Sequence, residues 1–372
     1  MRERIFEDED QSNLLDLLRS TYDGWHSPEY WNWKFERNPN GNPIVWIAED
    51  EGKIVGCYIL NPVRIRIGQV CVLGAQAVDA AVNTAYRGRG IFKKLAINAI
   101  KQASREGIAV TYAFPTEIAH KGQISLGYQP VFVLPKMYNI LNLAQIVESD
   151  RARSCLREAS NILRLRERSS RRGVHAPSRE KPAIRKISSF DSRFEVFWRR
   201  ICEENSNILI ERNVDYLRWR YFGNPEKSYS VYVCEENSEI VGYSVCSIEK
   251  NMTRQKYLDA TLSMGNIVDL LTLPNKNYAS VHLVSDMIDD FERKEVDIIS
   301  CWMFKNHPYH STLSRFGFSE YYELLRRGIL RPKYLPQFIL YINSRAVLRK
   351  ALEVKGATRL YWFIMPGDAD FA

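Results

Sequence analysis

The sequence of 372 residues lacks the marks of several protein classes. Its seven cysteines are scattered singly, with no Cys-x-x-Cys pair and no cysteine–histidine cluster at the spacing of zinc ligands. It contains no run of about 18 apolar residues, and its first residues show no apolar stretch typical of a secretion signal. We therefore expect a cytoplasmic protein with reduced thiols, without a metal site and without a membrane span.

The composition is that of an ordinary globular protein. Hydrophobic residues make up 45% of the chain and charged residues 26%. These fractions exclude a wholly disordered or collagen-like chain. At roughly 100 to 200 residues per domain, the length predicts two domains.

The positive charge is concentrated in one segment. The whole chain has a formal net charge of +8, whereas residues 151–186 alone hold twelve Lys or Arg against three Asp or Glu. Residues 155–163 fit an amphipathic helix, and the glycine and prolines of 169–182 predict a loop. The segment is either a solvated linker or a contact surface for nucleic acid or another anionic partner. Because it has no interleaved aromatic residues and no known DNA-reading motif, we do not expect nucleic acid as the partner.

The chain contains an internal repeat. Nine residues between Tyr30 and Gly56 recur 186 positions later. They are Tyr30, Trp33, Asn38, Pro39, Val45, Glu49, Ile54, Val55 and Gly56. Further matches follow in the same order at an offset of 190, among them Asp79 with Asp269 and His120 with His310. We infer a tandem duplication whose two copies are joined by the basic segment.

Hydrophobic periodicity predicts similar elements in both copies. In the first copy we predict helices over 11–19, 90–106 and 117–125, and strands over 44–48, 54–60, 63–67, 70–73, 77–82, 108–113 and 131–134. In the second copy we predict strands over 231–234, 240–247, 267–271 and 298–303, a helix over 278–293 and a short helix before Gly317. The predicted fold class is α/β (α+β), with two lobes that each hold a mixed, mostly antiparallel twisted sheet flanked by helices.

The sharpest local motif is the turn Arg87-Gly88-Arg89-Gly90, between a strand and a long amphipathic helix. Glycines allow backbone N–H groups to approach a ligand closely, and the start of a helix offers unpaired N–H groups and a positive dipole. The two arginines add positive charge. The motif predicts a phosphate site, and the alternative is a plain glycine turn with solvated arginines.

The stretch Arg87-Gly88-Arg89-Gly90-Ile91-Phe92 resembles the Arg/Gln-x-x-Gly-x-Gly/Ala motif of the GNAT acyltransferases, with Phe92 in place of the small residue. The closing stretch 125–128 is also similar to the family's ending. Segments 74–92 and 113–116 resemble a bacterial and archaeal GNAT group associated with surface polysaccharide loci, although Thr116 stands where that group has Asn. The resemblance implies that acetyl-CoA is bound by Ala81, Val82, Asn83, Arg87, Gly88, Arg89, Gly90, Ile91 and Phe92.

The second copy lacks this motif, since residues 272–278 contain neither glycine nor arginine. We therefore predict an N-terminal GNAT lobe that binds acetyl-CoA and is catalytic, and a degenerate C-terminal GNAT-like lobe. The predicted regions are 1–140 for the first lobe, 141–188 for the basic helix and linker, 189–330 for the second lobe, and 331–372 for a tail that packs back on the body. The tail resembles the endings of the same group, which implies that Asp368, Asp370 or the terminus docks against the N-terminal lobe.

The resemblance implies an acyl-pantetheine arm along residues 79–83, with the backbone N–H near Val82 facing the thioester oxygen. Asp79 is the candidate general base, because a carboxylate inside an apolar strand is often used in chemistry. His120 is a second candidate. Both residues recur in the copy without the glycine motif, which favours the alternative of structural hydrogen bonds.

The general acid is open. Many family members place a tyrosine where this chain has Gln123, and glutamine cannot donate a proton at neutral pH. Tyr112 or Tyr128 is a candidate replacement. Alternatively, the thiolate leaves without help, because a thiol pKa of about 8.5 makes it a tolerable leaving group.

The aromatic residues near position 30 lie where GNATs usually shape the acceptor pocket. Trp25 and Trp31 are predicted to contact the acceptor, whereas the recurring Tyr30 and Trp33 are predicted to be core residues. The leading function is an acetyl-CoA dependent N-acetyltransferase acting on a primary amine of a small molecule or an amino sugar. The alternative is a non-catalytic module that binds acyl-CoA, or an anionic partner through the basic segment. Homo-oligomer formation is left open.

Overall fold

The computed structural model describes residues 1–22, 27–142, 182–204, 207–252, 262–326, 334–345 and 362–369. The chain divides into two units. The N-terminal unit comprises Met1–Leu134, Ser206–Glu226 and Tyr334–Phe363, and the C-terminal unit comprises Pro135–Asn205, Lys227–Lys333 and Ile364–Ala372. The helix and loop expected in the basic segment lie almost wholly outside the described residues. No described helix is long and apolar enough to cross a membrane.

The N-terminal unit is built around a nine-stranded sheet. Its strands are β1 (Arg2–Ile5), β2 (Ile44–Asp50), β3 (Lys53–Ile67), β4 (Val70–Val82), β5 (Val110–Ala113), β6 (Gln129–Val133), β9 (Ile208–Ile210), β15 (Gln337–Ile342) and β16 (Trp362–Phe363). The order along the sheet is β1-β2-β3-β4-β5-β15-β6, and β9 pairs with both β3 and β16. The neighbours are antiparallel except for the parallel pairs β4/β5 and β9/β16.

Both faces of this sheet are covered, which explains why β3 is apolar along most of its length. Cys57 and Ile59 pack with the leucines of α1 (Gln11–Thr21). Tyr58 and Leu60 pack with α3 (Ile91–Arg105). Successive side chains of a strand point to opposite faces, so a strand between two layers has no polar face.

Shorter helical segments complete the N-terminal unit. They are α2 (Pro28–Trp31), a π-helical turn at Asn32–Glu36, a 3₁₀ turn at Thr84–Tyr86, α4 (Glu117–Ser125), α6 (Val214–Leu217) and a second π-helical turn at Arg218–Phe222. The side chain of Thr116 accepts a hydrogen bond from the Ala119 N–H and so caps the start of α4.

The C-terminal unit holds a seven-stranded sheet of the same general type. Its order is β14-β7-β13-β12-β11-β10-β8. The strands are β7 (Lys136–Ile140), β8 (Ala183–Ile187), β10 (Ser230–Glu236), β11 (Glu239–Met252), β12 (Leu262–Thr272), β13 (Ile298–Trp302) and β14 (Ser319–Glu320). The helices are α5 (Arg193–Glu204), α7 (Tyr278–Arg293), α8 (Pro308–Arg315) and α9 (Tyr321–Arg326). The predicted fold class of two lobes with mixed, mostly antiparallel sheets is confirmed.

The units differ from the sequence-based regions because strands from distant parts of the chain complete each sheet. β15, which falls in the predicted tail, lies between β5 and β6 in the N-terminal unit. β7, from the end of the predicted first lobe, lies between β13 and β14 in the C-terminal unit. Residues 364–369 belong to the C-terminal unit, where the turn Pro366–Asp368 contacts β12. Asp370 and the terminus are outside the described residues.

A pair of repeat-related tryptophans joins the two copies of the motif within the N-terminal unit. The rings of Trp33 and Trp219 stack with their centroids 5.2 Å apart. Each indole Nε1 donates a 2.6 Å hydrogen bond to the backbone oxygen of the other residue. This reciprocal contact places a segment of the second repeat inside the N-terminal unit.

Candidate functional site

Both glycines of the turn have left-handed backbone conformations. Gly88 has φ of +78° and Gly90 has φ of +76°, conformations that strongly favour glycine. Gly90 directly precedes α3, and no side chain caps this end of the helix. A Cβ atom built at either glycine would meet no atom within 4 Å. The turn therefore presents the first N–H groups of α3 beside open space, as a phosphate site requires.

The two arginines are exposed and held beside this turn. Arg87 donates through Nε to the Val82 oxygen at 3.3 Å, and Arg89 donates to the Ala85 oxygen at 3.3 Å. The Arg89 guanidinium also lies over the Tyr86 ring, 4.8 Å from its centroid. Both cations thus add to the positive field of the helix start.

Strands β4 and β5 separate next to the glycine turn. They are paired from Gly74 with Val110 to Gln76 with Tyr112, while β4 continues to Val82 with β3 as its registered neighbour. The Asn83 N–H donates to the Val55 oxygen of β3 at 2.9 Å. Because successive backbone groups of a strand point to opposite sides, the Val82 N–H points away from β3, towards the opening. This arrangement leaves a backbone donor in the gap between the two strands, beside the glycine turn.

The candidate base Asp79 is engaged in a buried ion pair. Its Oδ2 accepts a 2.7 Å hydrogen bond from Lys34 Nζ, and the two side chains are 12% and 5% exposed. Lys34 could not be identified from the sequence, because a lysine next to Trp33 resembles an ordinary surface residue. Asp79 recurs as Asp269 in the copy without the glycine motif, which favours a structural hydrogen bond over a catalytic role. The ion pair with Lys34 fits that alternative.

The candidate histidine is also hydrogen-bonded. His120 Nε2 lies 3.2 Å from Gln337 Oε1 of β15. In the C-terminal unit, the repeat-related His310 lies 3.2 Å from Glu320 Oε1. A histidine contact to a following strand is therefore common to both copies, including the one without the glycine turn.

Neither candidate acid tyrosine lies in a setting that favours proton donation. Tyr112 is buried against the rings of Phe114 and Phe338. The Tyr128 hydroxyl lies 3.2 Å from that of Tyr58, and burial raises the pKa of Tyr128 well above its usual value. Tyr58, which the sequence analysis missed, belongs to a buried polar group at the base of α4 together with Gln123.

The structure places Trp31, predicted to contact the acceptor, in the hydrophobic core. Trp31 is only 3% exposed, and its ring packs between Phe6 and Phe35 in the core beneath α1. Apart from Phe35, the residues that bury Trp31 come from other segments of the chain, among them Phe6 and the leucines of α1, so the local pattern could not show its burial. Tyr30 and Trp33 are buried, as predicted. Trp25 lies outside the described residues.

The departure from the family motif at Phe92 has a structural counterpart. The Phe92 ring packs edge-on against Tyr58 and lies directly over Gly122 of α4. A Cβ atom at position 122 would be 2.8 Å from Phe92 Cε1. The Phe92 side chain thus fits at the start of α3 because Gly122 of α4 has no side chain.

Gly122→Ala is expected to lower the free energy of unfolding by about 1–3 kcal/mol, because the added methyl overpacks against Phe92. Urea denaturation measures the effect. The double variant Gly122→Ala/Phe92→Leu should recover most of the loss, since leucine vacates the contested volume. An unchanged unfolding midpoint for the single variant would contradict the packing argument.

The C-terminal unit shows how an equivalent opening can be closed. β12 and β13 pair only from Met264 with Ile298 to Asn266 with Ser300. At the repeat offset, Thr272 corresponds to Val82. The buried Tyr309 hydroxyl accepts from the Thr272 N–H at 2.7 Å and lies 2.8 Å from Thr272 Oγ1. At the same offset, Tyr309 corresponds to Ala119. In the unit that lacks the glycine turn, a large side chain therefore accepts the hydrogen bond of the Thr272 N–H.

Comparison with known proteins assigns the first part of this chain. Residues 3–130 match the model of the Acetyltransferase (GNAT) domain family. The chain carries a GNAT acetyltransferase domain. It is accordingly an acetyltransferase, an enzyme of acyl transfer, and GNAT acetyltransferases use acetyl-CoA. No curated protein sequence matches the chain.

Several solved structures share the fold at low sequence identity. A probable N-acyltransferase of unknown function from Enterococcus faecalis V583 is 13% identical, with a TM-score of 0.61 over 95% of this chain and 74% of its own. A GCN5-related N-acetyltransferase from Anabaena variabilis is 13% identical, with a TM-score of 0.60 over 92% and 73%. Eis1 from Mycobacterium abscessus is 13% identical, with a TM-score of 0.56 over 94% and 75%. These likenesses extend over both units of the acetyltransferase.

Proposed function

We propose that the N-terminal unit binds acetyl-CoA and transfers its acetyl group directly to a primary amine of a small molecule or an amino sugar. The observation that carries the proposal is the opening between β4 and β5, which ends at an uncapped helix start with two left-handed glycines. A backbone donor and a phosphate site in one cleft suit a thioester joined to a pyrophosphate.

Acetyl-CoA would be held at two places in this cleft. The N–H groups following Gly88 and Gly90 bind the pyrophosphate, with Arg87 and Arg89 adding charge. The acyl-pantetheine arm extends along the β4 residues that lack a β5 partner in the register. Of the remaining candidates, Asn83 and Phe92 flank the glycine turn at the end of β4 and near the start of α3. Ala81 and Ile91 are buried in the core, so only their backbone groups would contribute.

The transfer needs a neutral amine, whose lone pair attacks the thioester carbon. The carbonyl oxygen then carries negative charge in the tetrahedral intermediate, and the Val82 N–H is placed to stabilise it. The C–S bond breaks, coenzyme A leaves as a thiolate, and the positively charged nitrogen formed by the attack releases its proton to solvent water. The thiolate leaves without a side-chain acid, because the two tyrosine candidates are buried and a thiol pKa of about 8.5 permits departure.

Acetyl-CoA binding and the identity of the acceptor are tested in two successive steps on the full chain. Acetyl-CoA should raise the melting temperature in a thermal-shift measurement, because ligand binding to the folded state stabilises it. Thiol release is then screened over amino sugars, polyamines and aminoglycosides, and an amino sugar or other small primary amine is expected to give turnover. Absence of stabilisation by acetyl-CoA and by longer acyl-CoAs would overturn the proposal.

Each chain is expected to bind a single equivalent of acetyl-CoA. The N-terminal unit has the glycine turn and an open cleft, whereas Tyr309 occupies the corresponding donor in the C-terminal unit. Isothermal titration calorimetry should give a stoichiometry near one. Titration to two equivalents would show that the C-terminal unit also binds and would contradict the assignment of the site to the N-terminal unit.

A further inference from the structure

The strand that carries the Val82 donor contains a bulge. Register pairs join Cys57 to Ala81 and Ile59 to Val78, so Tyr58 on β3 faces the two residues Asp79 and Ala80 on β4. Asp79 has φ of +46°, in the left-handed region that glycine normally occupies in such bulges. Aspartate is tolerated there better than most residues, but the conformation needs support from its surroundings.

Three side chains from three elements support the bulge. Lys34, in the first π-helical turn, donates to the Asp79 carboxylate at 2.7 Å. Cys57 Sγ donates to the Asp79 oxygen at 3.2 Å, and the hydroxyl of Tyr22, just after α1, donates to the Ala80 oxygen at 2.8 Å. Burial raises the pKa of the Cys57 thiol to about 12, so it remains a donor at neutral pH.

The C-terminal unit keeps the aspartate but not this arrangement. Asp269 does not have a positive φ, and the register there shifts between Val245 and Cys246. Its carboxylate accepts a 2.7 Å hydrogen bond from the hydroxyl of Tyr243, the residue that corresponds to Cys57. The left-handed aspartate is therefore not a fixed property of the duplicated fold. It occurs in the unit that has the glycine turn and the open cleft.

We propose that Lys34 is a positioning residue for acyl transfer. Through its ion pair with Asp79, it holds the bulge that sets the direction of the β4 backbone up to the Val82 N–H. A backbone donor stabilises an oxyanion only when it is aimed where the charge develops, and small misplacements cost large factors in rate. Asp79 then serves as an anchor for Lys34 and not as the general base. This inference rests on the proposed function.

The test uses the full chain and measures thiol release from acetyl-CoA. The acceptor is the amine found in the screen, or water. Lys34→Met should lower kcat roughly 10- to 100-fold. Its KM for acetyl-CoA should change less than about threefold, because the phosphate site is untouched. Lys34→Arg should recover most of kcat, since arginine can also pair with the carboxylate.

Two further variants separate positioning from folding and from base catalysis. Asp79→Asn loses the ion pair but retains a hydrogen-bond acceptor for Lys34 and tolerates the left-handed conformation. It should therefore lose less kcat than Lys34→Met and keep both limbs of the wild-type pH profile. Lys34→Met/Asp79→Asn removes both buried charges and should restore the melting temperature lost in Lys34→Met, while kcat stays low. Lys305→Met, at a well-exposed lysine, is the matched control.

Three results would overturn the inference. The first is a kcat for Lys34→Met within twofold of the wild type at a temperature where the variant is folded. The second is a larger loss of kcat in Asp79→Asn than in Lys34→Met, together with a lost limb of the pH profile, which would make Asp79 the base. The third is recovery of kcat along with stability in the double variant. Failure of the wild type to bind acetyl-CoA would instead overturn the proposed function itself.

Discussion

Gly90→Val is expected to weaken acetyl-CoA binding by roughly 100-fold in Kd. Valine is β-branched and strongly disfavours the φ of +76° at this position, at a cost of at least about 1–2 kcal/mol. If the turn rearranges to relieve this strain, the N–H groups at the start of α3 lose their common direction, and at least one charge-assisted hydrogen bond to phosphate is lost. Isothermal titration calorimetry with acetyl-CoA measures the change.

The opposite end of the same helix provides a matched control. Gly107 has φ of +79°, and a Cβ atom there would also meet no atom within 4 Å. Gly107→Val should therefore strain the backbone to a similar degree, and lower the melting temperature similarly, while leaving Kd for acetyl-CoA unchanged. Equal Kd values for the two variants would show that the glycine turn does not bind the cosubstrate.

Trp33→Ala is expected to reduce the free energy of unfolding by about 3–5 kcal/mol. The substitution removes a buried ring stacked on Trp219 and leaves the Trp219 backbone oxygen without its indole donor. Urea denaturation gives the loss, and Tyr322→Ala, at an exposed ring of α9, should change the stability little. A loss below 1 kcal/mol would contradict the structural role of the pair.

A double-mutant cycle tests whether the two repeats are energetically coupled through this contact. Trp33→Phe and Trp219→Phe each retain a ring and remove one indole N–H, and each should cost about 1 kcal/mol. Because the rings and hydrogen bonds are shared, the double variant should deviate from additivity by at least about 0.5 kcal/mol. Strict additivity would mean that the two residues contribute separately.

The glycine turn and its flanking elements could be predicted from the sequence because they depend on neighbouring residues. Apolar spacing placed α3 over 90–106 and α4 over 117–125, and the structure gives Ile91–Arg105 and Glu117–Ser125. The paired glycines predicted a turn at the start of a helix, and the structure has this turn, with positive φ at both glycines. Self-comparison also revealed the internal repeat, since it needs only residue identities.

Partnerships between distant residues were inaccessible to the same reasoning. A tryptophan can line an acceptor pocket or lie in a core. Only the burial of Trp31 against Phe6 and Phe35 shows that it is a core residue. The strand Gln337–Ile342 falls in the predicted tail, because a short apolar run does not reveal which strands it will pair with. The ion pair of Asp79 with Lys34 likewise joins two elements whose contact no local pattern predicts.

The sequence by itself determined that the chain holds an internal repeat, and that the glycine turn occurs in the first copy and not in the second. These are local properties, set by glycine conformations, helix periodicity and residue identity. Only the tertiary structure decided which aspartate is bound by a lysine, which backbone donor faces an open cleft and which is covered by Tyr309. Those outcomes depend on side chains more than 30 positions apart in the chain, whose contacts are fixed by the register of the sheets and not by neighbouring residues.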